Sequence, residues 1–414
     1  MTGNPKLIDK LFSALPPKES RALSTVVSLA DDSDVRVFLV GGPVRDLLLG
    51  LAPTDLDVSV EGDAIAFATR LAEATDGRLV RHATFGTATV SAGWRIDLAT
   101  ARTETYSRPG VLPKVQPSTI DADLLRRDFT INALALALNG PAPGKLLDPT
   151  RGKDDLDAGL VRVIHDRSFQ DDATRILRAA RYETRFGFRL EEATQDLVHR
   201  DLPYLVTITG VRLRHDIERT FEEGRADQAV SRLRGLGVLS TVHSGLDWTP
   251  AQAKALRVLK PPLPAGSRPV AWAILAWETP SAQIEPLVKR LALTKAQAEA
   301  VRSVPFLRDL RARLNNDLRP SEVDRLLSSF PLNAVLALSV IEDTPASRWA
   351  RLYLKLRSIH PLLRGDDLQS LRVPRGPAVG EMLALLRAAK LDGEAKTRAD
   401  EERLVREYLA QNSE

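Results

Sequence analysis

The chain has 414 residues, 43% hydrophobic and 27% charged, with a net charge of +4 and no cysteine. Its length exceeds what one hydrophobic core organises, which excludes a single small domain, and its balanced composition excludes a chain disordered throughout. Lack of cysteine excludes disulfide frameworks, zinc-thiolate sites and thiol nucleophiles and fits a cytoplasmic protein. The opening segment, broken by lysines and Pro16-Pro17, has no long apolar stretch of the kind a secretion signal needs.

Residues 1–34 read as an N-terminal helical extension. Val35–Val40 is an apolar, β-branched run followed by Gly41-Gly42, Pro43 and a stop at Gly50, the pattern of strand, glycine turn and short helix. Leu56–Val60 predicts a second strand, Asp63–Ala74 an alanine-rich helix, and Arg78–Arg81, Thr87–Ser91 and Trp94–Ala99 three further strands. Arg102–Ala122, punctuated by Pro109-Gly110, Pro113 and Pro117, predicts a long irregular loop. From Leu124 onward helical periodicity dominates, with turn signals that place boundaries near residues 140, 225 and 345.

Asp55-Leu56-Asp57 opens a predicted strand, where alternation points both carboxylates the same way, an arrangement suited to hard divalent cations such as Mg²⁺. Alone, Asp-x-Asp usually marks a solvated strand edge. Upstream, however, Gly41-Gly42 lets the backbone approach a ligand and leads into a helix start that favours phosphate. A triphosphate lying between a glycine turn and paired carboxylates is the layout for nucleotidyl transfer assisted by two metal ions. Asp97, on a later strand, is a candidate third carboxylate; a structural strand-end role is the alternative.

The string from Gly41 to Gly50, followed by Asp55-Leu56-Asp57-Val58, resembles the signature of class II tRNA nucleotidyltransferases, the CCA-adding enzymes, and of bacterial poly(A) polymerases, within the polymerase β superfamily. The resemblance implies an α/β nucleotidyltransferase head with a small mixed five-stranded sheet over residues 35–140. A helical neck (141–225), body (226–345) and tail (346–414) would follow.

Three further segments carry the same resemblance. Arg126-Arg127-Asp128-Phe129-Thr130-Ile131-Asn132-Ala133 is similar to the family's ribose-recognition motif; Asp128 and Asn132, four apart, would share a helix face and offer an acceptor and a donor to sugar hydroxyls. Leu147-Asp148-Pro149 with Gly152-Lys153-Asp154-Asp155-Leu156 resembles the hinge-like segment between head and neck, although a Gly/Pro turn and helix cap would also account for it. Arg175, Arg178, Arg181 and Arg185 recur every three or four residues along a helix whose Ile176, Leu177 and Ala180 can face a core. An arginine stripe is ordinarily a solvated face. Here it follows Asp171-Asp172, and the family's nucleotide-selecting motif has an acidic pair followed by Arg at this spacing. Its usual Glu and Pro are Asp171 and Ala173 in this chain.

The selection chemistry follows from the bases. Cytosine and adenine both pair an exocyclic amino donor with a ring-nitrogen acceptor, whereas uracil and guanine pair a carbonyl with a ring N–H. Asp172 would accept from the amino group and Arg175 would donate to the ring nitrogen, so CTP and ATP fit and no nucleic-acid template is needed. Gly41, Gly42, Arg45, Arg178 and Arg181 would serve the triphosphate, and Arg127, Asp128 and Asn132 the ribose. The implied cofactor is a pair of Mg²⁺ ions held by Asp55 and Asp57, and the implied partner is tRNA, gripped at its acceptor and T arms through shape and backbone contacts. Full CCA addition, CC-only addition, A-only addition, poly(A) synthesis and an inactive RNA-binding homologue remain the alternatives. The dipeptides His165-Asp166 and His215-Asp216 lack the further ligands of a metal phosphohydrolase site.

Overall fold

The computed structural model describes residues 5–315 and 317–411; the outermost residues of the first and last expected divisions, 1–4 and 412–414, lie outside the described residues. The chain divides into two compact units, one reaching to Thr209 and including Leu236–Thr241, the other comprising Gly210–Gly235 and the chain from Val242 onward.

The first unit opens with helices α1 (Pro5–Ala14) and α2 (Pro17–Asp31). Then come β1 (Arg36–Val40), α3 (Gly42–Leu48), β2 (Asp57–Glu61), α4 (Ala64–Thr75), β3 (Arg78–His82), β4 (Thr87–Ser91) and β5 (Arg95–Thr100). All five expected strands are present and adjacent, in the order β3-β4-β5-β2-β1. Two short strands the sequence did not signal, β8 (Ala135–Ala137) and β9 (Leu146–Leu147), extend the sheet beyond β1 and bring it to seven. Strands β2 and β5 are parallel, with Asp57 opposite Asp97; β1 runs antiparallel to β2 and β8.

The unbroken apolar character of β1 has a direct cause. Val37 and Leu39 pack into a cluster with α1, α2 and α4, while Phe38 and Val40 pack into another with Ile120, Leu124 and Ala135, so both sheet faces are covered. Helix α4 starts on Asp63, whose carboxylate accepts from the Ile65 and Ala66 amides at 2.9 and 3.0 Å, and ends on Asp76 in the left-handed conformation.

The expected irregular loop is instead a hairpin, β6 (Arg102–Thr105) paired with β7 (Lys114–Pro117), followed by α5 (Ile120–Leu125). Its prolines do not break the ladder, because Pro109-Gly110 and Pro113 lie in the connection and Pro117 ends a strand of a two-stranded sheet. After β9 the unit continues with α6 (Gly152–Ala158), β10 (Leu160–Val161), α7 (Ser168–Asp171) and α8 (Thr174–Phe186), which stops at Gly187 with φ +70°. Ile176, Leu177 and Ala180 of α8 are fully buried, as their spacing predicts.

The second unit is helical throughout its described residues, from Gly210–Phe221 to Arg398–Gln411. Trp272 and Trp277 are buried in it, and Leu363, Leu368, Met382, Leu386 and Val405 form a separate apolar cluster near its end. No described helix is long and apolar enough to cross a membrane.

Candidate active site

Gly41 has φ +73° and ψ −126°, a conformation reserved for glycine, and donates its N–H to the Leu134 carbonyl at 2.9 Å. A Cβ placed there would stand 2.6 Å from Arg127 Nη1, so the glycine turn and the Arg127 guanidinium are in direct contact. Asp123, buried on α5, binds Arg126 and Arg127 together, with Arg127 Nη2 2.9 Å from its Oδ2; the two arginines hold its carboxyl below the usual range against the opposing effect of burial. Arg127 Nε is buried without a hydrogen-bond partner among the described residues, an unsatisfied donor at the mouth of the acidic strands.

That guanidinium lines a groove of about 420 Å³ together with Val40, Asp57, His82, Thr89 and Asp97. Asp57 opens β2, and exposed Asp55 lies two residues earlier in a bend before the strand, with covered Leu56 between them. Burial, then the neighbouring Asp97 and Asp55 carboxylates, push Asp57 up to about 6, although Arg127 and Arg95 pull the other way. Crowded carboxylates of this kind fit a divalent cation. Among the described residues, no group of three or more His, Cys, Asp or Glu side chains is arranged to hold a metal ion. Asp97 is engaged elsewhere: Arg95 Nε donates to its Oδ2 at 3.0 Å, and Thr89 Oγ1 donates to its Oδ1.

The shift sets a pH dependence with a definite sign. Because the folded protein binds the Asp57 proton more tightly than the unfolded chain, this group's contribution to metal-free stability falls as pH rises from about 4 to about 6. A cation must displace that proton, so Mn²⁺ affinity measured by titration calorimetry is expected to be about tenfold weaker at pH 5 than at pH 7. Equal affinities would remove Asp57 from the cation site.

Asp128 and Asn132 lie not on an α-helix but in a bend and at the end of a 3₁₀ turn (Thr130–Asn132), with extended Phe129 between bend and turn. They still meet: Asn132 Nδ2 donates to Asp128 Oδ1 at 3.0 Å. Asp128, 8% exposed, also accepts from the Phe129 amide and from Arg178 Nε at 2.7 Å. Burial alone would raise its pKa, but Arg178, the Asn132 amide and Arg175 outweigh burial and hold it at about 2. Arg45 is turned inward. It is 4% exposed, donates to Asn132 Oδ1 at 2.5 Å and to Asp46, and lies over the Phe186 ring at 4.5 Å. In this structure its guanidinium buttresses the Asn132 amide.

Two of the four arginines of α8 are buried, and Arg185, at its end, is exposed. Arg175 and Arg181 are buried, and Arg178, 37% exposed, is bound to Asp128 and Tyr182. Arg175 Nη1 donates to Ser168 Oγ at 2.7 Å and its Nη2 to the Arg126 carbonyl at 2.9 Å. Asp172 Oδ1 accepts from the Thr174 amide and hydroxyl, which caps α8. Tyr106 of the hairpin donates to Glu104 at 2.8 Å and feels the charges of both Arg175 and Asp172; burial, then Glu104, raises its pKa. Asp123, Tyr106 and Ser168 were not singled out from sequence. Only Asp123 carried a signal, an acid three and four residues before two arginines.

The remaining segment closes on this network. Asp148 caps α6 through the Gly152 and Lys153 amides, and Asp155 accepts from Thr130 Oγ1 at 2.7 Å, so the helix cap expected as the simpler reading is present and ties α6 to the turn bearing Asn132.

Residues 37–162 match the family model of the poly A polymerase head domain. Over 97% of this chain and 96% of the relative, the sequence is 32% identical to the A-adding tRNA nucleotidyltransferase of Halalkalibacterium halodurans. The chain belongs to the tRNA nucleotidyltransferase family. It is also 33% identical over 94% of its length to the A-adding member from Geobacter sulfurreducens, of which it spans only 47%. The CC-adding member from Deinococcus radiodurans is 30% identical over 98% of this chain and 97% of that one. Among solved structures of the family, the Thermotoga maritima CCA-adding enzyme complexed with tRNA has a TM-score of 0.77 at 29% identity, over 97% of this chain and 98% of that one. CCA-adding enzymes solved with ATP and with CTP give 0.80 and 0.79, each at 29% identity, covering 97% and 99% of this chain and 98% of each of theirs.

Proposed function

We propose that this chain is a template-independent nucleotidyltransferase of the cytoplasm that extends the 3′ end of tRNA with C and A from CTP and ATP. One observation carries the reading: three segments distant in sequence, around residues 41–45, 126–132 and 175–178, touch one another through four contacts. Gly41 meets Arg127, Arg45 binds Asn132, Asp128 binds Arg178, and the Arg126 carbonyl accepts from Arg175. The names of the relatives, and the tRNA, ATP and CTP bound in similar solved structures, support it.

Two Mg²⁺ ions, held by Asp55 and Asp57, would neutralise charge on the triphosphate and lower the pKa of the attacking hydroxyl. The chain's own residues do the rest. Arg127, whose side chain lines the groove and touches the glycine turn, donates to triphosphate oxygens beside Gly41-Gly42. The Asp128–Asn132 pair, fixed by Arg45 and Arg178, holds the ribose. Asp172 accepts from the base amino group, and Arg175, with donors beyond those serving Ser168 and Arg126, supplies the ring nitrogen. The terminal ribose 3′-oxygen bonds to the α-phosphorus as the bridging bond to the β-phosphate breaks. Pyrophosphate leaves with that electron pair, and the hydroxyl proton passes to solvent. The helical unit is the surface assigned to the acceptor and T arms.

The test is incubation of tRNA lacking CCA, and of tRNA ending in CC, with Mg²⁺ and labelled CTP or ATP, separately and together, with product length read on a gel. Addition of C, A or both in order, stopping at the complete end, is the expected result and shows whether addition is full or partial. Long runs of A on any RNA would instead make the chain a poly(A) polymerase.

A further inference from the structure

A second groove of about 480 Å³ adjoins the acidic strands and shares Arg95 and Asp97 with the first; its other walls include Leu15, Glu19, Thr54, Asp55 and Trp94. We propose that this second groove receives the 3′-terminal nucleoside of the RNA acceptor, with Trp94 as the face on which its base stacks and Arg95 as the partner of its 5′-phosphate. The proposal rests on the nucleotidyltransferase reading above and assigns the two substrates to opposite sides of the Arg95–Asp97 pair.

Transfer requires a triphosphate and a hydroxyl to approach the paired acids from different directions, and two grooves meet at those acids. Charge decides which substrate takes which. The first groove sets two arginines, Arg95 and Arg127, against Asp57 and Asp97, and includes Val40, the residue before the glycine turn. The second sets a single arginine, Arg95, against Glu19, Asp55 and Asp97, a balance that suits a nucleoside end with its single phosphodiester charge better than a triphosphate.

Trp94 follows the Ala92-Gly93 turn between β4 and β5. It is half-buried: part of the indole packs on the head core and the rest lines the groove. An indole anchored in this way is a rigid platform that any base can stack on, which suits a site that must accept more than one terminal base in succession. Arg95, 67% exposed, pairs with Asp97 at the surface and can exchange that carboxylate for a phosphodiester oxygen. The Lys18 ammonium adds positive charge beside the same turn, 3.5 Å from where a Gly93 Cβ would stand.

The experiment uses the full chain and a tRNA whose last nucleotide is 4-thiouridine, cross-linked with near-ultraviolet light and mapped by peptide mass spectrometry. Adducts within residues 91–97, chiefly at Trp94, are expected. Adducts at Val40, His82 or Thr87 or in the helical unit, or none within 91–97, overturn the assignment. Under the same conditions the unmodified tRNA is supplied with CTP and ATP. If nucleotides are incorporated but the adducts lie elsewhere, only the groove assignment fails; if none are incorporated, the nucleotidyltransferase reading fails and this proposal with it. In steady-state kinetics Trp94→Ala is expected to raise KM for tRNA about tenfold with KM for ATP unchanged and Trp94→Phe restoring most of the loss. A rise in KM for ATP alone would contradict it.

Discussion

Changing Asp57 to Asn is expected to lower nucleotide incorporation by about 10³-fold, equivalent to about 4 kcal/mol of barrier, with tRNA binding unchanged. The side chain keeps its shape, so the loss reports charge alone. In the folded protein this carboxylate is crowded by Asp97 and Asp55, and removing its charge relieves repulsion at neutral pH. The variant should therefore melt no lower than the parent, which separates loss of chemistry from loss of fold. Rapid-quench incorporation assays and a tRNA filter-binding assay on the same preparation check it. Incorporation within tenfold of the parent would take Asp57 out of the reaction.

The largest expected effect on stability is at Gly152. A Cβ there would stand 2.0 Å from the Thr130 carbonyl oxygen and 2.6 Å from its carbon, and both are backbone atoms that cannot swing aside as a side chain can. Gly152→Ala should cost about 3 kcal/mol, the upper end of what forced overpacking usually costs. Calorimetry should show a fall in Tm of roughly 6–12 °C for a unit of this size. The strain falls on the turn that carries Asn132, so KM for the nucleotide should rise as well. An unchanged Tm would show that the approach of α6 to that turn can relax freely.

What could be read in advance depended on how much local signal each element carries. Five strands were legible because each is five or six residues long and bounded by glycines, turns or a capped helix. Strands β8, β9 and β10 have two or three residues, too few to show a period, and are held by their neighbours in space. The hairpin was masked by prolines whose positions outside the paired stretch only the fold reveals.

At the site, the motif positions were legible but several side-chain partners were not. Spacing placed Arg175, Arg178 and Arg181 on one helix; it could not show that Arg178 would spend its charge on Asp128, fifty residues earlier. Arg45 beside a glycine turn suggests a phosphate ligand from sequence, yet the aromatic rings of Tyr182 and Phe186 and the Asn132 amide draw it inward. Long-range partners of this kind decide whether a cation faces a ligand or holds the wall of its site.

The measurement that bears most directly on the central claim is the intact mass of a tRNA lacking its CCA end, before and after incubation with this chain, Mg²⁺ and all four nucleoside triphosphates together. A gain made up only of C and A residues, no larger than the missing end, is expected. A tRNA ending in CC, treated in parallel, should gain a single A, or nothing if addition is limited to C. Incorporation of U or G, an open-ended tail, or no change in mass for either substrate would contradict it.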